Sequence, residues 1–240
     1  PGPSDSGETS EGPKAEEKRP PDLRRDLFER SARVETYLGE EARLGELVAV
    51  GSGVHFDDDL VLTAAHVVEK GKSWGYEILE VREERIHTFM EGGTLVGLDA
   101  ARDVAVLRTE ERFGNRVKRK RISIAIAPLE RGEVVYVYSP APGMAGRIWT
   151  GRAVDATTIN LAVRPGTSGA GVFVLRNDRY ELAGLVIART DVPPRELSRT
   201  TVQEGRNQVN IIVQEAGVTV THLVPASAIE DLLKRCGAAK

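Results

Sequence analysis

The sequence predicts an all-β protein of two tandem six-stranded antiparallel β-barrels, with a short N-terminal helix and a C-terminal helix. Short apolar runs of strand length recur along the chain with turn residues between them, a pattern typical of sandwiches and barrels. These runs fall into two groups of about six, separated by a charged connection, which indicates two barrels rather than one. No self-similarity with a period of roughly 20–50 residues is present, so a propeller or a solenoid is not predicted.

The composition of the chain argues against several classes of protein. The 240 residues are 40% hydrophobic and 5% aromatic, and the net charge of −3 argues against general affinity for nucleic acid or for an anionic membrane. No apolar run approaches the roughly 18 residues of a membrane span, and no signal peptide is recognisable. The single cysteine, Cys236, excludes an internal disulfide. The compartment and the oligomeric state stay open.

The N-terminal region is predicted to be a disordered tail followed by a helix. Residues 1–21 are rich in Pro, Gly, Ser, Glu and Lys, which is typical of a disordered segment. Asp22 follows two prolines and suits the N-cap position of a helix. The next apolar residues recur at roughly helical spacing, so we predict a helix over residues 22–42 from Leu23, Leu27, Val34 and Leu38.

Residues 43–112 are predicted to form the first barrel. Apolar runs over residues 47–50 and 54–56 precede an acidic turn at 57–59 and an apolar strand at 60–63. Three further strands of this barrel are predicted, at Tyr76–Val81, Thr94–Leu98 and Val104–Leu107.

Residues 113–133 are predicted to connect the barrels, and residues 134–240 to form the second barrel and its C-terminal helix. The connection contains the basic run Arg116–Arg121, which has no aromatic residues and is more typical of a solvated segment than of an anion-binding site. A helix is predicted over Ala226–Arg235, after Pro225. The strands of the second barrel are predicted at Val134–Tyr138, Arg147–Val154, Thr158–Val163, Val172–Leu175, Leu182–Ala188 and Val218–Val224.

A long polar insertion, residues 190–217, separates the last two predicted strands. Loops of this length inside a compact domain are often functional. The sequence leaves two alternatives open: a lid over a substrate cleft, or plain surface.

Three residues have the chemistry of a nucleophilic site. Ser168 stands between Gly166 and Gly169, and glycine tolerates the positive φ angles that a sharp turn needs. His66 follows a strand and two small alanines, and Asp103 directly precedes an apolar strand. A serine nucleophile requires a base to take its proton and an acid to orient that base.

These motifs together resemble the chymotrypsin-like (trypsin-fold) serine proteases, and within them the bacterial HtrA/Deg-type protease domains. A PDZ domain is not expected. Residues 63–68 match a Thr-x-x-His-Val-Val pattern, residues 103–107 match an aspartate before a Val-Ala-Val-Leu strand, and residues 166–170 match Gly-Asn-Ser-Gly-Gly in part. The order His, Asp, Ser is that of the chymotrypsin type. The resemblance spans roughly residues 44–233.

The resemblance implies a role for each residue. His66 would be the general base and then the general acid, Asp103 its orienter and Ser168 the nucleophile. The backbone N–H groups of Gly166 and Ser168 would form the oxyanion hole. Thr167 and Ala170 depart from the family pattern, which has asparagine or aspartate at the first position and glycine at the second.

The resemblance also points to a substrate pocket. Trypsins carry an acid six residues before the serine, where this chain has Ala162. The other predicted pocket residues are Val163, Leu185 and Ile187. Because an apolar pocket cannot compensate a buried cation, we expect cleavage after small or medium aliphatic residues. Asp191 is close enough in sequence to Leu185 and Ile187 to complicate this expectation.

The function predicted from the sequence is therefore a serine endopeptidase that acts on protein or peptide substrates. No cofactor is expected, and no metal, since His55, His87 and His222 lack the spacing of a metal site. The alternative is a catalytically silent binding or scaffold protein of the trypsin fold. An esterase with the same triad also stays open.

Overall fold

The computed structural model of the chain describes residues 23–39, 45–82, 85–109, 121–140, 147–192, 195–204, 207–215 and 218–238. These ranges contain three helices, α1 (Leu23–Arg30), α2 (Ala65–Val68) and α3 (Ala226–Arg235). The strands of the first half are β1 (Ser31–Tyr37), β2 (Leu47–His55), β3 (Leu60–Thr63), β4 (Ser73–Arg82), β5 (Arg85–Asp99) and β6 (Val104–Thr109). The later strands are β7 (Ser123–Ile124), β8 (Val134–Ser139), β9 (Arg147–Asp155), β10 (Thr158–Ile159), β11 (Gly171–Arg176), β12 (Arg179–Val192), β13 (Arg195–Glu204), β14 (Asn207–Glu215) and β15 (Val218–Pro225).

Strands β1 to β6 form a closed antiparallel barrel in the order β1-β2-β3-β6-β5-β4. Closure pairs every strand on both sides, so the barrel has no open sheet edge. Helix α2 connects β3 to β4. Small and branched side chains fill this part of the core: Ala32, Val34, Val61, Ala64, Val67, Val68, Ala105 and Leu107.

The helix predicted over residues 22–42 is wrong beyond Arg30. Helix α1 ends there, and β1 follows at once and pairs with both β2 and β4. Val34 satisfies helical spacing from Leu27, but it equally satisfies strand alternation with Ala32, and two ladders of backbone hydrogen bonds favour the strand. Leu38, placed on the apolar face of the predicted helix, is exposed. The first barrel therefore begins at residue 31, because its closure needs this sixth strand.

The second barrel contains β8, β9, β10, β15, β12 and β11, and the pairing of β11 with β12 closes the ring. The predicted fold class of two six-stranded antiparallel barrels is thus confirmed. The short strand β7 lies in the predicted connection and adds to β12 in parallel. The strand predicted over residues 158–163 ends at Ile159, because the Asn160 side chain accepts from the backbone N–H of Arg152 at 2.6 Å and the chain leaves the ladder.

The insertion at residues 190–217 is not a loop. Strand β12 continues to Val192 and pairs with β15 along this extension, and β13 and β14 then form an antiparallel hairpin. Two short runs of β-branched residues in this polar stretch, at 200–202 and 211–213, favour strands. The predicted tail at 1–21 and most of the basic run, residues 116–120, lie outside the described residues.

The two barrels share one hydrophobic cluster, which fixes the position of one barrel against the other. Val54, Leu62 and Val106 of the first barrel pack in it with Phe173 and Leu185 of the second. Helix α3 covers the cluster with an apolar stripe, Ala228, Ile229, Leu232 and Leu233. In the part of the chain that the structure describes, no helix has the length and apolar character needed to cross a membrane.

Candidate active site

His66 lies in the single turn of α2, directly after β3. Ala64 and Ala65 before it are buried, so the backbone at this turn packs closely against the first barrel. The His66 side chain itself is 43% exposed. The small alanines thus allow the backbone turn to pack tightly while the imidazole of His66 stays accessible to solvent.

Asp103 binds His66 at two points. One carboxylate oxygen, Oδ2, lies 2.8 Å from His66 Nδ1, and the other, Oδ1, accepts the backbone N–H of His66 at 2.9 Å. Asp103 has a φ of 56°, which few residues other than glycine adopt and which aspartate tolerates better than most. Backbone strain of this kind clusters at functional sites, and here it aims the carboxylate at His66.

The carboxylate also changes the protonation of the imidazole. The hydrogen bond that His66 donates to Asp103 raises the pKa of His66 above its ordinary value, and partial burial of the ring acts in the opposite direction. The charges of Asp103 and Glu69 raise this pKa further. His66 therefore keeps its proton to a higher pH than a histidine in water.

We expect NMR titration of the His66 ring to give a pKa above the ordinary histidine value. Asp103→Asn should lower this pKa, because it removes both the strongest hydrogen bond and a negative charge. Glu69→Gln should lower it by less, since Glu69 acts only through its charge. An unchanged His66 pKa in Asp103→Asn would contradict the assigned cause.

Ser168 lies in a loop of two consecutive β-turns. The N–H of Thr167 donates to the carbonyl of Arg164 at 3.2 Å, and the N–H of Ala170 donates to the carbonyl of Thr167 at 2.9 Å. The third residue of each turn is a glycine, Gly166 or Gly169, with a φ of 87°. A positive φ at the third position defines a type II turn, which strongly favours glycine. The serine is therefore the second residue of a tight turn.

Gly169 is required for a second, steric reason. A Cβ at this position would lie 2.1 Å from the Ser52 carbonyl oxygen and 2.5 Å from Thr63 Oγ1. Neither atom is the end of a flexible side chain. The absence of a side chain at Gly169 lets the loop of the second barrel approach strands β2 and β3 of the first.

Ser52 holds this loop against the first barrel. Its N–H donates to the carbonyl of Ser168 at 2.7 Å, and its Oγ donates to the carbonyl of Gly166 at 2.8 Å. The carbonyl of Ser52 accepts from Thr63 Oγ1 at 2.7 Å, and its hydroxyl also meets Ser139 Oγ at 2.8 Å. Ser52 had no predicted role, although its place between two glycines indicates a close backbone approach.

The absence of a side chain at Gly51 lets the segments that carry His66 and Ser168 lie close together. A Cβ on Gly51 would lie 2.6 Å from a methyl group of Val67, the neighbour of His66, and 2.9 Å from the Ser168 carbonyl oxygen. Within the described residues, however, no hydrogen bond joins His66 Nε2 to Ser168 Oγ. Such contacts are often long in a free enzyme and shorten when substrate binds.

Two backbone N–H groups of the loop have no hydrogen-bond acceptor in the part of the chain that the structure describes. The N–H groups of Gly166 and Ser168 donate no hydrogen bond to any described residue, whereas the N–H groups of Thr167, Gly169 and Ala170 all do. Gly166 and Ser168 are the residues predicted for the oxyanion hole. Both residues are only partly buried, so a ligand could supply the missing acceptor.

Strand β12 forms the other side of the site. The N–H of Gly169 donates to the carbonyl of Val186 at 2.7 Å, and the N–H of Val186 donates to the carbonyl of Ala170 at 2.9 Å. The side chain of Ala170 is buried in the core of the second barrel, so the methyl group that departs from the family pattern fills core space. The β12–β15 register shifts between Val186 and Ala188, which places a bulge at Ile187.

The four predicted pocket residues occupy different environments. Val163 and Leu185 are buried in the hydrophobic core, Ala162 is exposed, and Ile187 is half-buried. Ile187 packs against clusters of both barrels, including the one beneath His66. Ala162 and Ile187 thus retain exposed surface, whereas Val163 and Leu185 retain almost none.

Arg189 was not predicted to belong to this site, yet it joins the two predicted pocket walls. Its Nη1 donates to the carbonyl of Val163 at 3.0 Å. The rest of the guanidinium pairs with Asp191, whose carboxylate also accepts from Thr219 Oγ1 at 2.7 Å. The one feature of the sequence that indicated this network was the position of Asp191 close to the predicted pocket residues.

A model of the family described as "Trypsin-like peptidase domain" matches residues 51–185 of the chain. This range covers more than half of the sequence and contains His66, Asp103 and Ser168. A comparison with curated protein sequences gives no match.

Among solved structures, the chain is similar to a serine endoprotease from Yersinia pestis, with a TM-score of 0.55 and 18% sequence identity. The match covers 89% of this chain and 64% of the Yersinia protein. At this identity the likeness concerns the fold. It agrees with the two-barrel architecture predicted from the sequence.

Proposed function

Since the chain belongs to the trypsin-like peptidase family, we propose that it is a serine endopeptidase that cleaves protein or peptide substrates. Ser168 is the nucleophile, His66 the general base and Asp103 the residue that orients His66. The observation that carries this proposal is the two-point contact between Asp103 and His66. A carboxylate that only capped a turn would not need to contact both the backbone and the ring of one histidine.

The contact determines which ring nitrogen can act as a base. Asp103 Oδ2 accepts the proton on Nδ1, so Nε2 of the neutral ring carries a lone pair. Nε2 takes the Ser168 hydroxyl proton as Oγ attacks the scissile carbonyl carbon, and it returns that proton to the leaving amine. The acyl-enzyme is then hydrolysed by water through the same exchange. Because the base must be neutral, activity should rise as the pH increases through the raised pKa of His66.

The unused N–H groups of Gly166 and Ser168 form the oxyanion hole in this proposal. The type II turn orients the Pro165–Gly166 peptide through the positive φ of Gly166. Ser52 and Arg164 hold the following peptide from both ends, through the Gly166 carbonyl and the Thr167 N–H. The donors are thus ordered before substrate binds, which is the condition for efficient stabilisation of a developing negative charge.

For specificity we propose cleavage after small or medium aliphatic residues. Ala162 and Ile187 would contact the side chain that precedes the scissile bond, and Val163 and Leu185 would support them. The position of Ala162 offers no carboxylate to a cationic side chain.

A fluorophosphonate probe tests the proposed enzyme class directly. We expect the folded protein to form one adduct, which mass spectrometry of proteolytic peptides should locate on Ser168. The other serines act as internal controls, including the buried Ser52 and Ser139, and the protein unfolded in urea should not react. Folded protein without a Ser168 adduct would favour the silent binding or scaffold protein instead.

A further inference from the structure

The loop that carries Ser168 and strand β12 are joined at two places. At one end, Gly169 and Ala170 hydrogen-bond to Val186. At the other end, the side chain of Arg189 reaches the carbonyl of Val163. Residues 164–168 lie between these two links on the loop side, and residues 187–188 lie between them on the strand side. A pocket formed by these residues would therefore lie beside Ser168 and be bounded by the two links.

The Arg189 side chain is held in place by all three of its nitrogens. Nη1 donates to Val163, while Nε and Nη2 donate to the two oxygens of Asp191 at 2.9 and 2.8 Å. Such a two-fold guanidinium–carboxylate pair has a defined geometry, and because both side chains are exposed it contributes orientation more than stability. Thr219 anchors the carboxylate in turn, and the hydrogen bonds of Thr219 and Arg189 lower the pKa of Asp191. A planar guanidinium thus forms the link at the Val163 end.

We infer that Arg189 determines specificity by closing the substrate pocket at the end opposite Val186. This inference rests on the proposed peptidase function and deepens it. A small aliphatic side chain fits between the two links. A large one must displace Arg189 from Val163 and Asp191, and a cationic one meets an existing positive charge. Because Asp191 already pairs with the guanidinium, an acidic side chain gains little.

The inference separates the steric role of Arg189 from its charge. Arg189→Ala removes the long side chain that closes the pocket, so the pocket should admit large apolar side chains of the substrate. Asp191→Asn keeps the Arg189 side chain and the contact with Thr219, but it removes the negative charge that compensates the guanidinium. The pocket should then admit acidic side chains of the substrate instead. Arg179→Ala, an exposed arginine at the start of the same strand, is the matched control.

The test uses peptide phosphonate probes that differ only in the side chain that would enter the pocket: Ala, Leu, Phe and Asp. We expect wild type to react faster with the Ala probe than with the Phe probe. Arg189→Ala should raise the Phe-to-Ala ratio of labelling rates by about tenfold or more, and Asp191→Asn should raise the Asp-to-Ala ratio instead. Arg179→Ala should leave both ratios unchanged, and thermal unfolding should confirm that each variant is folded.

The outcomes distinguish this inference from the proposed function. If wild type labels at Ser168 but Arg189→Ala keeps the wild-type Phe-to-Ala ratio, the role of Arg189 is wrong and the peptidase function stands. If no phosphonate labels Ser168 in wild type, the proposed function is contradicted and the inference falls with it.

Discussion

Replacing Ser168 with alanine is expected to lower kcat for peptide hydrolysis by on the order of 10⁶-fold. The hydroxyl is the attacking group in the proposed mechanism, and no other side chain is assigned that role. The substitution should leave the fold intact, since the contacts of this residue with the first barrel run through its main chain. The Ser168 carbonyl would still accept from the Ser52 N–H.

Hydrolysis of a fluorogenic peptide, with thermal unfolding of the same samples, checks this expectation. Ser123→Ala, at an exposed serine on β7, is the control and should keep wild-type kinetics. Activity of Ser168→Ala within tenfold of wild type would contradict the assignment of the nucleophile. A loss of activity that accompanied a large fall in unfolding temperature would show that Ser168 acts through the fold.

The second large effect is expected for Asp103→Asn, which should lower kcat by about 10⁴-fold while the site keeps its shape. Asparagine tolerates the positive φ of residue 103, so the backbone need not move. The single amide oxygen should stay on the His66 backbone N–H, a donor that cannot change. The amide NH₂ group then faces Nδ1 of His66, which must become an acceptor. The ring proton moves to Nε2, and Nε2 can no longer take the serine proton.

Two measurements distinguish this tautomer effect from general damage. NMR of the ring nitrogens should show the proton on Nδ1 in wild type and on Nε2 in Asp103→Asn. Asp231→Asn is the control, because Asp231 pairs with Arg102 beside Asp103 but does not contact His66. If Asp103→Asn carried the ring proton on Nδ1 and retained activity within tenfold, the orienting role of Asp103 would be refuted.

Features that depend on local sequence were predicted well. The barrel strands show short apolar runs bounded by turn residues, and α3 shows both an apolar stripe and a preceding proline, so its bounds at Ala226 and Arg235 agree with the prediction. The positions of His66, Asp103 and Ser168 at element boundaries were also apparent from their flanks. The family match over residues 51–185 confirms the resemblance on which their roles were predicted.

Features that depend on pairing were predicted less well. The β1 segment, residues 31–37, has a spacing that fits both a helix and a strand, and only its pairing with β2 and β4 decides between them. The polar stretch at 190–217 lacks the apolar alternation of a buried strand, because β13 and β14 pair with each other and not with a barrel.

The sequence by itself determined the strand-rich class, the division into two barrels and the identity of the three candidate catalytic residues, because each leaves a pattern within a few neighbouring residues. Only the tertiary structure decided how the candidate site is held. Ser52 reaches the Ser168 loop across 114 residues of chain, and Arg189 reaches Val163 across 26. Such contacts form where the closed barrels bring distant strands together. The spacing of residues along the chain does not reveal which of them will be close in space.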